Sequence, residues 1–247
     1  MPQGNVFIKE GSSLESAAGI PGLGIGLLGY AFMGKAHSNG YRKLPYIFWP
    51  PPAYPKLAAI CGRKEKEAAE AAQRYGYSRY YTDWRDLVAD PDVQVFDNSA
   101  ANNVHLEPTL AAIAAGKHVI CEKPLAMNAA EARQMWQAAD RAGVKHMVGF
   151  NYRFVPAIRL ARWLIDEGRL GEIVHFRAKY LQEWISLEST TWAWRFSQET
   201  GGKTGILGDL GSHIIDLGRF LVGEPHRVMG KVGRLTKVKP LPDGSGE

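Results

Sequence analysis

The sequence predicts an α/β protein, a doubly wound parallel sheet followed by a second domain of different build. Three observations predict it. Short apolar runs alternate with amphipathic or alanine-rich stretches, several of those stretches stop at a glycine, and the rhythm changes after Tyr152. The chain has 247 residues, roughly 1.6 times a typical domain of about 150, which leaves room for one large or two ordinary domains. Its 45% hydrophobic and 22% charged residues are the composition of a folded protein.

Residues 1–20, rich in Ser, Gly and Ala without periodicity, read as an N-terminal extension. The strands of the first domain, residues 21–150, are Leu23–Leu28, Leu57–Cys61, Val93–Phe96, His118–Cys121 and Val144–Val148, each a short apolar run. Helices are expected at Glu65–Tyr75 before Gly76, His105–Ala115 before Gly116 and Ala129–Ala142 before Gly143, since glycine readily takes the left-handed conformation that ends a helix. Asn128 with Glu131 three residues later predicts a capping box at the start of the last.

The second domain, residues 151–247, opens with a long helix to about Asp166 and a strand, Glu172–Trp184. In that strand Ile173, His175 and Arg177 alternate with Val174, Phe176 and Ala178. A loop from Ile185 to Leu207, a helix from Asp209 to Leu221 and a strand-like run, Val228–Val238, complete it. Few strands remain to cover the first, so an incomplete second sheet is expected, with an open edge and an apolar face left for later strands or a partner subunit.

Thirty Lys and Arg against 25 Asp and Glu give a net charge of +5. The basic residues are interleaved with acids, as in Arg63-Lys64-Glu65-Lys66-Glu67, and Lys231–Lys239 lacks interleaved aromatics, which argues against nucleic acid. No window approaches the ~18 apolar residues of a membrane span, and no leader pattern opens the chain, so neither membrane nor secretion is expected. Cys61 and Cys121 both end buried-strand patterns, which suits a reducing cytoplasm.

Gly24-Ile25-Gly26-Leu27-Leu28-Gly29 matches G-x-G-x-x-G by letter, but Ile20-Pro21-Gly22 leaves no strand in front of it. With Leu23–Leu28 as the strand, the phosphate-binding turn is Gly29-Tyr30-Ala31-Phe32-Met33-Gly34, the arrangement of a Rossmann fold. Gly29 makes the tight turn and Gly34 allows helix and strand to pack. Ala31 adds a methyl where the middle glycine would lie, and backbone amides of Ala31, Phe32 and Met33 face the phosphates. Where an acid would bind a ribose 2'-hydroxyl stands Cys61-Gly62-Arg63-Lys64. A guanidinium suits a 2'-phosphate, leaning the cofactor from NAD toward NADP, although Arg63 serves equally as the solvated opening of a helix.

Four further segments, Ala101-Asn102-Asn103-Val104-His105, Glu122-Lys123-Pro124-Leu125-Ala126, Gly149-Phe150-Asn151-Tyr152-Arg153 and Gly205–Asp216 with its D-x-G-x-H-x-x-D, carry a resemblance. Together with the turn at Gly29 they resemble the Gfo/Idh/MocA oxidoreductases, over about residues 22–240. The resemblance implies a Rossmann domain followed by an α+β domain with a large, mainly antiparallel sheet. It implies hydride transfer between a nicotinamide and a sugar, cyclitol or related polyol, with homo-oligomers formed through that second sheet. Family members usually continue well past this point, so the resemblance also implies C-terminal truncation. Ala100-Ala101 departs from the Thr-Pro often found there. Implied cofactor contacts are Ser99, Asn102, His105, Glu122 and Lys123 beside the turn; implied substrate contacts are Asn151, Tyr152, Arg153, Arg195 and Asp209.

The residues themselves agree with these roles. Glu122-Lys123-Pro124 follows a parallel strand's C-terminal end, where open α/β sheets place ligands, and a cis Lys-Pro bond would turn Lys123 toward the crevice. An ammonium there can take a carbinol proton, though an exposed turn lysine is the plain alternative. Asp209 and His213, four residues apart, fall on one helical face, so His213 can act as acid or base and Asp209 can steady it or bind a hydroxyl. A dipole-stabilising Asp with a satisfied core histidine is the plain alternative there. A metal held by Asp209, His213 and Asp216 is disfavoured because no further ligand has suitable spacing. Trp194 is either a site residue or core. The competing class is a regulator that binds the cofactor without chemistry; loss of Lys123 or His213 would mark it, and both are present.

Overall fold

The computed structural model describes residues 19–183 and 192–233 and divides into two compact units, Met1–Val148 and Gly149–Glu247. In the first, β1 (Gly22–Leu28), β2 (Tyr54–Cys61), β3 (Arg79–Tyr81), β4 (Val95–Asn98), β5 (His118–Cys121) and β6 (His146–Val148) form one sheet. Its order is β3-β2-β1-β4-β5-β6 and every pairing is parallel. The order reverses between β1 and β4, the position where doubly wound sheets open a crevice at the strands' C-terminal ends.

Alternation along the strands sends successive side chains to opposite faces. Leu27 and Ile60, both fully buried, pack with Ala71, Ala72 and Tyr77, which brings in α2 (Glu65–Tyr75). Their neighbours Leu28 and Cys61 join Phe96, Ala112, Ile113 and Val119 in the other cluster, which brings in α4 (Leu106–Ala114). The remaining helices of the unit are α1 (Phe32–Ile47), α3 (Trp84–Ala89) and α5 (Ala129–Ala142). Small alanines on α2 let it approach the sheet closely, and its ends are set by Glu65 and Glu67 in the first turn, Arg74 in the last and Gly76 at φ +82°. At α5 the Asn128 side chain accepts the Glu131 N–H, while Glu131 reaches back to the Met127 N–H. That is a capping box shifted by one residue, and Gly143 at φ +65° closes the other end.

The second unit contains α6 (Pro156–Asp166) and α7 (Ser212–Leu221). The helix expected from Tyr152 begins instead as a 3-10 turn, Asn151–Phe154, with α6 starting at Pro156. Proline disfavours helical backbone in the residue before it and fits the first helical position. Similarly, the helix expected from Asp209 starts at Ser212, after a wide π-type turn over Leu207–Gly211.

The expected strand Glu172–Trp184 is a correction: 172–183 make no sheet pairing, and Trp184 lies outside the described residues. Residues 228–233 of the other strand-like run are likewise unpaired, and 234–238 lie outside. Alternation selects a strand's face, but only a neighbouring strand supplies its hydrogen bonds, and the described residues of this unit provide none. Val174 and Leu181 are accordingly 86% and 85% exposed. Residues 1–18 of the expected extension are outside the described residues, as are 185–191 of the expected loop.

Candidate functional site

The C-terminal ends of β2, β1, β4 and β5 are stitched together by backbone bonds. Gly29 N donates to Cys61 O at 2.9 Å, Ser99 N to Leu28 O at 2.8 Å and Glu122 N to Asn98 O at 2.9 Å. Gly29 has φ +97°, and a Cβ there would lie 2.8 Å from Ser99 O; one on Gly34 would lie 2.0 Å from Gly29 O. Both positions therefore need glycine, the first for its backbone and the second for contact between α1 and the turn. Ala31 begins α1 with no side-chain cap, so the amides of the first turn point outward unclaimed by any capping side chain. Phe32 is exposed and Met33 half-buried beside them. Gly24 and Gly26, the letters of the literal motif, lie within β1 and serve its packing against Asp92 and Val93.

At the end of β2, Arg63 is exposed, and Tyr30 covers Gly62 and donates from its hydroxyl to Glu67 at 2.8 Å. This half of the turn thus carries a carboxylate, Glu67, that the motif reading missed; it sits one helical turn past Arg63 rather than at the strand end.

Beneath the turn lies a polar cluster that joins His37, Asp97 and Tyr41, absent from the motif reading, to Ser99 and Glu122. His37 Nδ1 is 2.8 Å from Asp97 Oδ2, and Nε2 is 3.1 Å from Glu122 Oε1. Tyr41 and Ser99 donate their hydroxyls to Asp97 at 2.6 and 3.1 Å. Burial alone would lower the His37 pKa, but the hydrogen bonds that the imidazole donates to Asp97 and Glu122 outweigh it and hold it up to about 10. A histidine raised this way adds stability in full below its unfolded value near 6.5, and the gain is lost as pH rises through about 10. Thermal unfolding from pH 7 to 10 should therefore show a falling Tm, with a shallower slope in His37→Gln.

Lys123 is half-buried, its N–H donates to Glu122 Oε2 at 3.2 Å, and the Lys123–Pro124 peptide is cis. Asn98 holds the next loop by donating to Val104 O and Thr109 Oγ1, and Asn102 is buried in that loop. His105 needs correction: it is 0% exposed, with Nδ1 2.9 Å from Pro124 O and Nε2 3.2 Å from Ala100 O. It ties the two loops together and has no surface to offer a ligand.

In the second unit, Tyr152 lies against His213, with ring centroids 4.5 Å apart and planes at 31°. Phe150 and Tyr180 meet the same buried imidazole edge-on. The hydroxyls of Tyr152 and Tyr180 are 2.5 Å apart. The Tyr180 pKa is pushed up to about 12, first by that bond, then by burial and by the charges of Tyr152 and Asp209. Asp209, half-buried on the π-type turn, thereby acts on the same aromatic group, and Asn151 is exposed. Arg153 is a second correction. Its Nε and Nη2 donate to both oxygens of Asp216 at 2.7 and 2.5 Å, and Asp216 is 3% exposed. The arginine expected to face substrate is thus engaged by a buried carboxylate instead. Trp194 and the Arg195 backbone lie in a 3-10 turn, Trp194–Phe196; the Arg195 side chain is outside the described part.

A parallel sheet with its order reversed beside a glycine turn defines the class of doubly wound α/β proteins with a dinucleotide crevice. Residues 23–150 match the oxidoreductase family with an NAD-binding Rossmann fold, and residues 158–245 match the GFO/IDH/MocA C-terminal domain. The chain belongs to the GFO/IDH/MocA oxidoreductase family. It is 43% identical over 225 residues to a levoglucosan dehydrogenase of Pseudarthrobacter phenanthrenivorans, covering 91% of this chain and 57% of that one. A solved levoglucosan dehydrogenase in complex with NADH and levoglucosan is 45% identical, with a TM-score of 0.80 over 82% of this chain and 55% of that one. An NAD binding oxidoreductase from Klebsiella pneumoniae is 42% identical with a TM-score of 0.85, covering 90% of this chain and 59% of that one. The chain thus spans somewhat over half the length of these relatives. Among the described residues no helix is long and apolar enough to cross a membrane.

Proposed function

We propose that the chain carries the cofactor half and part of the substrate half of a dehydrogenase that oxidises a secondary alcohol of a sugar, cyclitol or related polyol. The carrying observation is the convergence of the Gly29 turn, the Ser99 loop and Glu122-Lys123 at the sheet's reversal point, between glycines with no room for a side chain. The relatives' levoglucosan and NADH support the substrate and cofactor classes. Amides of Ala31, Phe32 and Met33 would hold the pyrophosphate, and the bound nicotinamide supplies a hydride acceptor. Lys123 takes the hydroxyl proton, and Ser99 and Asn102 line the same strand ends. In the second unit His213, gripped by three aromatic rings, is the other acid/base group, with Asp209 and Asn151 as hydroxyl partners. The partners are a small polyol and further copies of the chain, with no nucleic acid or membrane, and the setting is the cytoplasm.

NADH is the form held by the solved relative, and exposed Arg63 leaves a cation to meet a 2'-phosphate. Fluorescence titration should show NADH and NADPH both binding. Arg63→Ala should weaken NADPH about tenfold, the size of one charge-assisted contact, and leave NADH unchanged. Absorbance at 340 nm across a polyol panel then tests turnover. A protein that binds both cofactors and reduces neither NAD+ nor NADP+ with any polyol would be the regulator instead.

A further inference from the structure

His37 lies on α1 one turn past Gly34, and its two partners come from strands that the phosphate turn does not include. Both ring nitrogens face carboxylates, Asp97 at the end of β4 and Glu122 just past β5. An ionised carboxylate only accepts, so both nitrogens must donate, and only the imidazolium does so. The side chains of Asp97 and Glu122 are 0% and 7% exposed, so the ring lies between two buried carboxyl groups, and a cation there offsets their charge. Asp97 is further fixed by Tyr41 and Ser99. Glu122 uses its second oxygen differently: it accepts the backbone N–H of Lys123. A continuous path of charge-assisted bonds therefore runs from the helix behind the dinucleotide turn to the backbone of the lysine.

We propose that His37 is a positioning residue that fixes Glu122 and, through it, the aim of Lys123, so that one side chain couples the cofactor turn to the proton-transfer lysine. This rests on the reading of Lys123 as the acid/base group. The other charged and titratable groups facing His37 are Asp97 from β4, Glu122 from the β5 end and, through Asp97, Tyr41 on α1 itself. A purely structural ion pair would leave the surroundings of the Lys123 ammonium unchanged when it is replaced by a neutral pair that still folds.

The test uses the whole chain with its lysines reductively 13C-methylated, the Lys123 resonance being assigned by its loss in Lys123→Arg. In both His37→Gln and Glu122→Gln, with NADH present, that resonance is expected to move beyond its linewidth while those of surface Lys64 and Lys66 stay in place. In the wild type, 15N shifts of His37 should be those of an imidazolium at pH 8. Turnover should fall about 10²-fold in either single variant, as for a misaimed catalytic group, and no further in the double. A stationary Lys123 resonance in a folded variant, or a neutral His37 at pH 8, overturns the proposal. If His37→Gln does not fold, Glu122→Gln and the 15N measurement still decide it. Lys123→Ala separates the two levels: retained turnover there sinks the underlying reading, whereas lost turnover with a His37→Gln protein of wild-type kinetics sinks only the positioning role.

Discussion

Lys123→Ala is expected to lower kcat by about 10²–10⁴-fold, the usual contribution of a positioned proton-transfer group, with the Kd for NADH shifted less than about threefold. The asymmetry follows from the structure. Groups that would hold the dinucleotide are the backbone amides that open α1 after the Gly29 turn, and these do not depend on the lysine side chain. Lys123 contributes its own N–H to the polar cluster, which alanine retains, so the Glu122 contact survives the change. Stopped-flow absorbance at 340 nm with a polyol substrate, paired with fluorescence titration of NADH, measures both quantities. Unchanged kcat would remove the lysine from the chemistry; a lost cofactor site would make it a binding residue instead.

The second large effect concerns stability. Arg153→Met is expected to cost about 3 kcal/mol of unfolding free energy, since removing one partner of a buried pair strands the other charge. The figure sits at the low end of the usual range because the Arg153 side chain is 36% exposed while that of Asp216 is 3%. Replacing both residues, as Arg153→Met with Asp216→Leu, should recover most of the loss by removing the buried charge altogether. Urea unfolding of the four proteins gives the cycle. A stable Arg153→Met protein with a raised KM would restore arginine to the substrate site.

The residues that were legible in the sequence are those whose partners are local. Gly76 and Gly143 mark the ends of α2 and α5, and Asn128 with Glu131 marks a start, because caps act within a few positions. Gly24 and Gly26 have no strand ahead of them in the sequence, and the structure puts both inside β1, so the glycine turn that follows the strand is the one at Gly29. By contrast, β3 and α3, three and six residues long, are too short for any periodicity to show, although Asp83 caps α3. His37 carries no signal in the sequence because its partners, Asp97 and Glu122, lie 60 and 85 positions away and only folding brings them in. Arg153 looks like a ligand-binding cation for the same reason: Asp216 is 63 positions distant. His105 matches its motif by letter, yet burial between Ala100 and Pro124 gives it a tethering role.

Hydrogen–deuterium exchange with and without NADH tests most directly whether the end of the sheet at β1, β4 and β5 is the dinucleotide site. Backbone amides exposed in the free protein should slow when a ligand takes them as donors. Protection on adding NADH is expected in three segments together: 29–34 at the turn, 99–104 after β4 and 122–126 after β5. The cavity of about 420 Å³ lined by Gly22, Lys56, Arg79 and Asp92 should show none. Protection confined to that cavity's residues, or none at any segment at saturating NADH and NADPH, would contradict it.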